Sequence, residues 1–263
     1  MEKKTTEIKI ENKMGTMPVR QLLVNMAWPA ILSMTINALY NVVDSIFVAQ
    51  LSEDALTAVS IVNPIQMLII ALSVGSGVGI NSLIARRLGA GRQEEADQAA
   101  STGVRIGLMN YVIFFIVGLI LTGPFVGSYA QKGTYIYEAA GVYMRIICIG
   151  SLFLNIQVVL EKILQSTGNM IAPMICGLTG AIVNIALDPI LIFGLLGMPK
   201  LGVTGAAIAT VTGQLCGMCV GTFIVVKGEH LVSIKLKDFK LNWNTVIDIY
   251  RVGLPSIIMQ SIG

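Results

Sequence analysis

Residues 22–48 read LLVNMAWPAILSMTINALYNVVDSIFV, and this stretch decides the fold. No charge falls between Arg20 and Asp44, a run of 23 residues, and a helix needs about 20 mostly apolar residues to cross a bilayer. Lys3, Lys4, Lys9, Lys13 and Arg20 precede the run as they would a signal peptide. It is longer than a signal h-region, however, and carries Asn37, Asn41 and Asp44 in place of a small-residue cleavage site, so it is expected to stay in the mature protein.

Similar gaps recur between Asp54 and Arg86, Arg105 and Lys132, and Lys200 and Lys227. Two further spans are interrupted, one by Asp188 and one by Arg145 near its start. Apolar residues make up 54% of 263 positions, charged ones 13%, and mean hydropathy is +0.76, which is too apolar for one water-soluble core. Irregular backbone cannot face lipid, and the alternation of a barrel strand is absent. The expected fold class is therefore an all-α integral membrane protein, with spans at 22–48, 56–80, 103–121, 142–160, 172–196 and 203–226 and a seventh beginning near Thr245.

Charge sets an orientation. With the N-terminus in the cytoplasm, 15 of the 18 Lys and Arg residues fall on the inner side, and only Lys132, Arg145 and Lys200 fall outside. The expected organisation is a cytoplasmic tail at 1–21, a six-helix lobe at 22–226, a cytoplasmic linker at 227–244 and the start of a second lobe at 245–263. Trp28-Pro29-Ala30-Ile31-Leu32-Ser33-Met34 is echoed by Leu254-Pro255-Ser256-Ile257-Ile258-Met259, as in transporters built from repeats. The echo, and a sequence that stops inside the seventh helix, predict a C-terminal lobe missing from these 263 residues.

The first span carries Ser33, Asn37, Tyr40, Asn41 and Asp44 at steps of three or four, which places them on one face. Such a face must look into the bundle or a wet cavity, because a charge at depth costs at least ~2.5 kcal/mol. The fifth span carries Asn184 and Asp188, again on one face. Pro29 precedes Asp44 by fifteen residues and Pro173 precedes Asp188 by fifteen, so at ~1.5 Å per residue both acids lie ~22 Å beyond a proline. In this orientation both sit in the outer half of the membrane. Two carboxyls facing one cavity do not readily ionise together, which makes a proton-binding site. The alternative is that each Asp bonds a neighbouring helix end, Asp188 especially, beside the ladder-breaking Pro189.

Other motifs read more simply. Gly213, Gly217 and Gly221 form a doubled GxxxG suited to close helix packing. Cys148, Cys176, Cys216 and Cys219 lie in spans as small packing residues, and the CxxC of the last two has no second pair or nearby His to complete a metal or redox site. No GxxxxGK[ST] is present. Asn155, Gln157 and Glu161 add polar groups near the cytoplasmic end of the fourth span. Met34, Met67 and Met174 offer adaptable apolar contacts or ordinary packing.

The segments LYNVVDSIFVAQL, ARRLGAGRQEEA, LQSTGNMIAP and NIALDPILIFG together resemble the multidrug and toxic compound extrusion (MATE) family, its DinF-type branch in particular. The resemblance implies twelve helices in two six-helix lobes, alternating access, and export of cationic drugs against inward flow of H+ or Na+, with H+ preferred. It also implies a cation-coupling network of Asp44, Asp188, Asn184, Tyr40 and Thr210, and a substrate cavity to which Asn37, Asn41, Gln157 and Met34 contribute. Expected partners are small-molecule drugs and the lipid of a cell membrane; no nucleic acid, catalytic residue, metal or cofactor beyond the coupling ion is expected. One rival, a lipid-linked oligosaccharide flippase of the same superfamily, calls for cationic residues in the cavity, for which Arg105 and Arg145 are the candidates. Another, an Mg2+-dependent membrane enzyme, calls for clustered aspartates, and no DxxD occurs.

Overall fold

The computed structural model describes residues 18–228, 232–234 and 242–262. The tail expected at 1–21 is thus almost wholly outside the described residues, as are His230 and most of the linker expected at 227–244. The described elements are α1 (Val19–Ala49), α2 (Glu53–Gly89), α3 (Gln93–Ile120), the short α4 (Thr122–Gly127), α5 (Tyr135–Ser166), α6 (Ile171–Phe193), a 3-10 turn (Leu195–Gly197), α7 (Val203–Lys227) and α8 (Trp243–Ile262). Six of these, α1, α2, α3, α5, α6 and α7, are long and apolar enough to cross a membrane, which makes the fold all-α as the sequence predicts.

The helices outrun the apolar gaps that revealed them. The span read at 103–121 belongs to a helix that begins at Gln93, and the span read at 56–80 continues to Gly89. Charged ends such as Arg86, Arg87, Glu94 and Glu95 stay helical beyond the apolar segment, because helix propensity does not stop where hydropathy does. Boundaries instead follow caps. Ser52 accepts from Ala55 N at 3.0 Å to open α2, with Glu53 and Asp54 in its first turn, and Asn169 accepts from Ala172 N at 3.0 Å at the start of α6. The end of α6 comes at Phe193, three residues before the predicted 196, because Gly194 turns left-handed (φ 76°).

At the centre lies α5, packed against α2, α3 and α7. Its core neighbours include Val62, Ile69, Phe114 and Ala207 around Tyr143, Met144 and Cys148. In contrast, α1 buries only Pro29 and Val48, because α6 is its main neighbour. Helices α6 and α7 meet through glycines, and a Cβ on Gly213 would stand 2.6 Å from Gly180 O. The GxxxG stripe of α7 is therefore a packing surface. Overpacking a close helix contact destabilises by ~1–3 kcal/mol or more, so Gly213→Leu is expected to lower the unfolding temperature in detergent. Gly89→Ala, where nothing lies within 4 Å of an added Cβ, is expected to leave it within ~0.5 kcal/mol of the parent. Equal effects from the two substitutions would refute this account of the interface.

The seventh helix, α8, docks on α2. Gly79 approaches the Ile249 carbonyl and Gly75 the Ile257 backbone. Asn110 of α3 ties the pair together, donating to Ser76 Oγ at 3.2 Å and accepting from Tyr250 Oη at 3.3 Å. Arg87, which donates to Glu95 O at 2.9 Å, also pairs with Asp248 at 3.8 Å, and Asp97 accepts from Ser233 N at 2.9 Å. The ion pair is long and exposed on its Asp248 side, so it contributes little by itself; the glycine contacts and the buried Asn110 set the register.

Candidate functional site

Helices α1 and α6 run side by side in the same sense. A Cβ on Gly177 would lie 3.4 Å from Ser33 Oγ, and eleven residues further along both helices the Asp44 and Asp188 carboxyls come within interaction reach of each other. The register makes the two equal proline spacings meaningful, since each acid stands five residues before its helix ends. Asp188 is fully buried. Asp44 Oδ1 is also buried, with no hydrogen-bond partner among the described residues.

Asn184 links this pair to α7. With its amide oxygen toward α7, it accepts from Thr210 N at 3.2 Å and donates to Asp188 Oδ2 at 3.2 Å, which satisfies both ends of the amide. Tyr40 lies within electrostatic reach of both carboxyls. So does Tyr143 of α5, a fully buried phenol with its hydroxyl 3.5 Å from Gln66 Oε1. The sequence reading missed Tyr143 because a tyrosine inside an apolar span resembles packing filler; no spacing ties it to the acids.

Below this cluster opens a cavity of about 270 Å3, close to the ~300 Å3 at which small-molecule pockets begin. Ser33, Asn37, Tyr40 and Asn41 of α1 line it, together with Gln157 and Glu161 of α5, Asn184 of α6 and Thr210 and Gln214 of α7. Asp44 and Asp188 lie one turn beyond Tyr40 and Asn184, past the lined volume. Asn41 spends its amide on its own helix, donating to Asn37 O at 2.9 Å. Met34 is placed apart: it is 72% exposed and does not line the cavity, because it sits about 100° around α1 from Ser33. Glu161 and Gln214, which the sequence reading left out of the site, are in the wall. Arg145 borders a separate hollow of about 30 Å3 beside Thr122 and Glu138.

Comparison with known proteins agrees with this architecture. The MatE family profile matches residues 29–190. The probable multidrug resistance protein NorM of Thermotoga maritima is 27% identical over 241 residues, covering 91% of this chain and 51% of that protein. The FAD transporter of Shewanella oneidensis is 26% identical over 249 residues, covering 94% and 54%. A crystal structure of MATE in complex with MaL6 superposes with a TM-score of 0.88 at 33% identity, covering 95% of this chain and 54% of that one. The chain thus spans about half the length of the curated relatives it matches. On the family match, the superposition and its own six apolar helices together, this chain belongs to the MATE family of membrane transporters.

Proposed function

We propose that this chain is the N-terminal lobe of a cation-coupled exporter of cationic drugs, working by alternating access with a second lobe. The observation that carries the reading is the Asp44–Asp188 contact, joined through Asn184 to Thr210 and set at one end of a polar cavity. Two carboxyl groups share a hydrogen bond only when one proton stands between them, so the pair binds a proton when closed and gains a second negative charge when it releases it. Tyr40, Asn184 and Thr210 hold that pair in place. Asn37, Asn41 and Gln157 contact the drug; Met34 contributes only if the second lobe closes over the exposed face of α1.

The orientation follows the positive-inside distribution, with the N-terminus cytoplasmic and the acidic pair toward the outside of a cell membrane. In the full-length protein without its native cysteines, Ser52→Cys is expected to react with an impermeant thiol reagent added outside intact cells, and Gln93→Cys is expected to stay unlabelled. Labelling of Gln93→Cys alone would invert the orientation.

Cavity chemistry favours cationic cargo. Among the described residues the wall carries a carboxyl and several amides and no Lys or Arg, whereas a pyrophosphate-bearing cargo calls for cationic side chains. A proton is the preferred coupling ion, because two carboxyls that face each other at one end of a buried cavity can hold one proton between them.

A further inference from the structure

Among the described residues, Glu161 is the only acidic one in the cavity wall, and the coupling network does not use it. It stands five residues before the end of α5, at the opposite end of the cavity from the aspartates, since α5 runs against α1 and α6. Gln157, one turn earlier and 9% exposed, donates to Glu161 Oε1 at 2.9 Å. The other end of the amide, Gln157 Oε1, faces Gly217 of α7 and is buried with no donor among the described residues. The neighbouring cation does not close on the acid. Lys162 lays its stem against Gly77 of α2 and donates to Gln165 Oε1 at 3.0 Å, and it forms no ion pair with Glu161 among the described residues. This corner of the cavity therefore holds acceptors that no donor among the described residues meets: the second carboxyl oxygen of Glu161 and the amide oxygen of Gln157. A buried acceptor without a donor is costly, and a ligand that supplies one recovers the loss.

We propose that Glu161, aimed by Gln157, is the charge-recognition residue of this lobe, taking the N–H-bearing cationic group of an organic cation such as an amine or amidine. It rests on the drug-export reading above and divides the labour of the cavity. Asp44 and Asp188 handle the coupling ion at one end, and Glu161 selects cargo by charge at the end from which a drug enters. Neutral molecules of the same size would gain nothing from it.

The test uses the purified full-length protein and two fluorescent probes, ethidium, which carries a positive charge and N–H donors, and Nile red, which is neutral. Glu161→Gln keeps the shape and removes the charge, and its ethidium Kd is expected to rise by about tenfold or more, the loss of one charge-assisted contact, with Nile red within about twofold. Glu161→Asp keeps the charge and is expected to retain most of the ethidium affinity. Gln157→Leu, which removes the aiming donor, is expected to weaken ethidium several-fold and provides a second route if Glu161→Gln does not fold. Unchanged ethidium affinity in folded Glu161→Gln, or equal losses for both probes, would overturn the assignment and leave the export reading standing. A parent protein that binds neither probe would overturn both.

Discussion

Replacing Asp188 by Asn in the full-length protein is expected to abolish ion-driven drug efflux, lowering it by ~10-fold at the least, with expression and membrane insertion unchanged. The exchange nearly preserves volume and hydrogen-bonding capacity and removes the titratable group. Asp44→Asn is expected to act alike, because the proposed site needs both carboxyls to hold one proton between them. The measurement is efflux of a preloaded fluorescent cation from cells or proteoliposomes under an imposed ion gradient, with immunodetection of the protein. Parent rates in both single variants would remove the pair from the mechanism. The double variant is expected to be no worse than either single one, since groups acting as a unit do not add.

A second large effect is expected from the coupling ion on drug binding. Protonation of the pair removes a negative charge from the cavity's end and closes the carboxyls on each other. Acidification is therefore expected to weaken ethidium binding to the full-length protein trapped facing outward. The factor expected is within the ~5–150 range typical of coupled sites. The sign follows from charge alone, as each added proton makes the cavity less attractive to a cation. In Asp188→Asn the response is expected to shrink. Indifference to pH combined with a steep response to sodium at fixed pH would transfer the same residues to sodium coupling.

Hydropathy and charge alone determined that the chain is helical and membrane-spanning, because lipid admits almost no other backbone. The same physics made the polar stripe of α1 legible. A run of Ser33, Asn37, Tyr40 and Asn41 at helical spacing has no stable place against lipid, and all four line the cavity. Helix ends were less legible. Gly194 and Ser52 set boundaries through backbone geometry and capping, which hydropathy does not record.

The sequence by itself could place Asp44 and Asp188 at one depth, through equal spacings from Pro29 and Pro173, since rise per residue is a local property. Only the tertiary structure decided that α1 and α6 are neighbours in parallel register, that Asn184 bridges to Thr210, and that Tyr143 lies within electrostatic reach of the acids. It also took Met34 out of the cavity wall and brought Glu161 into it. The physical reason is that a helix fixes the spacing of its own side chains, whereas the rotation of one helix against another is set by packing between residues far apart in the chain. Here that packing runs through contacts such as Gly180 with Gly213 and Gly177 with Ser33.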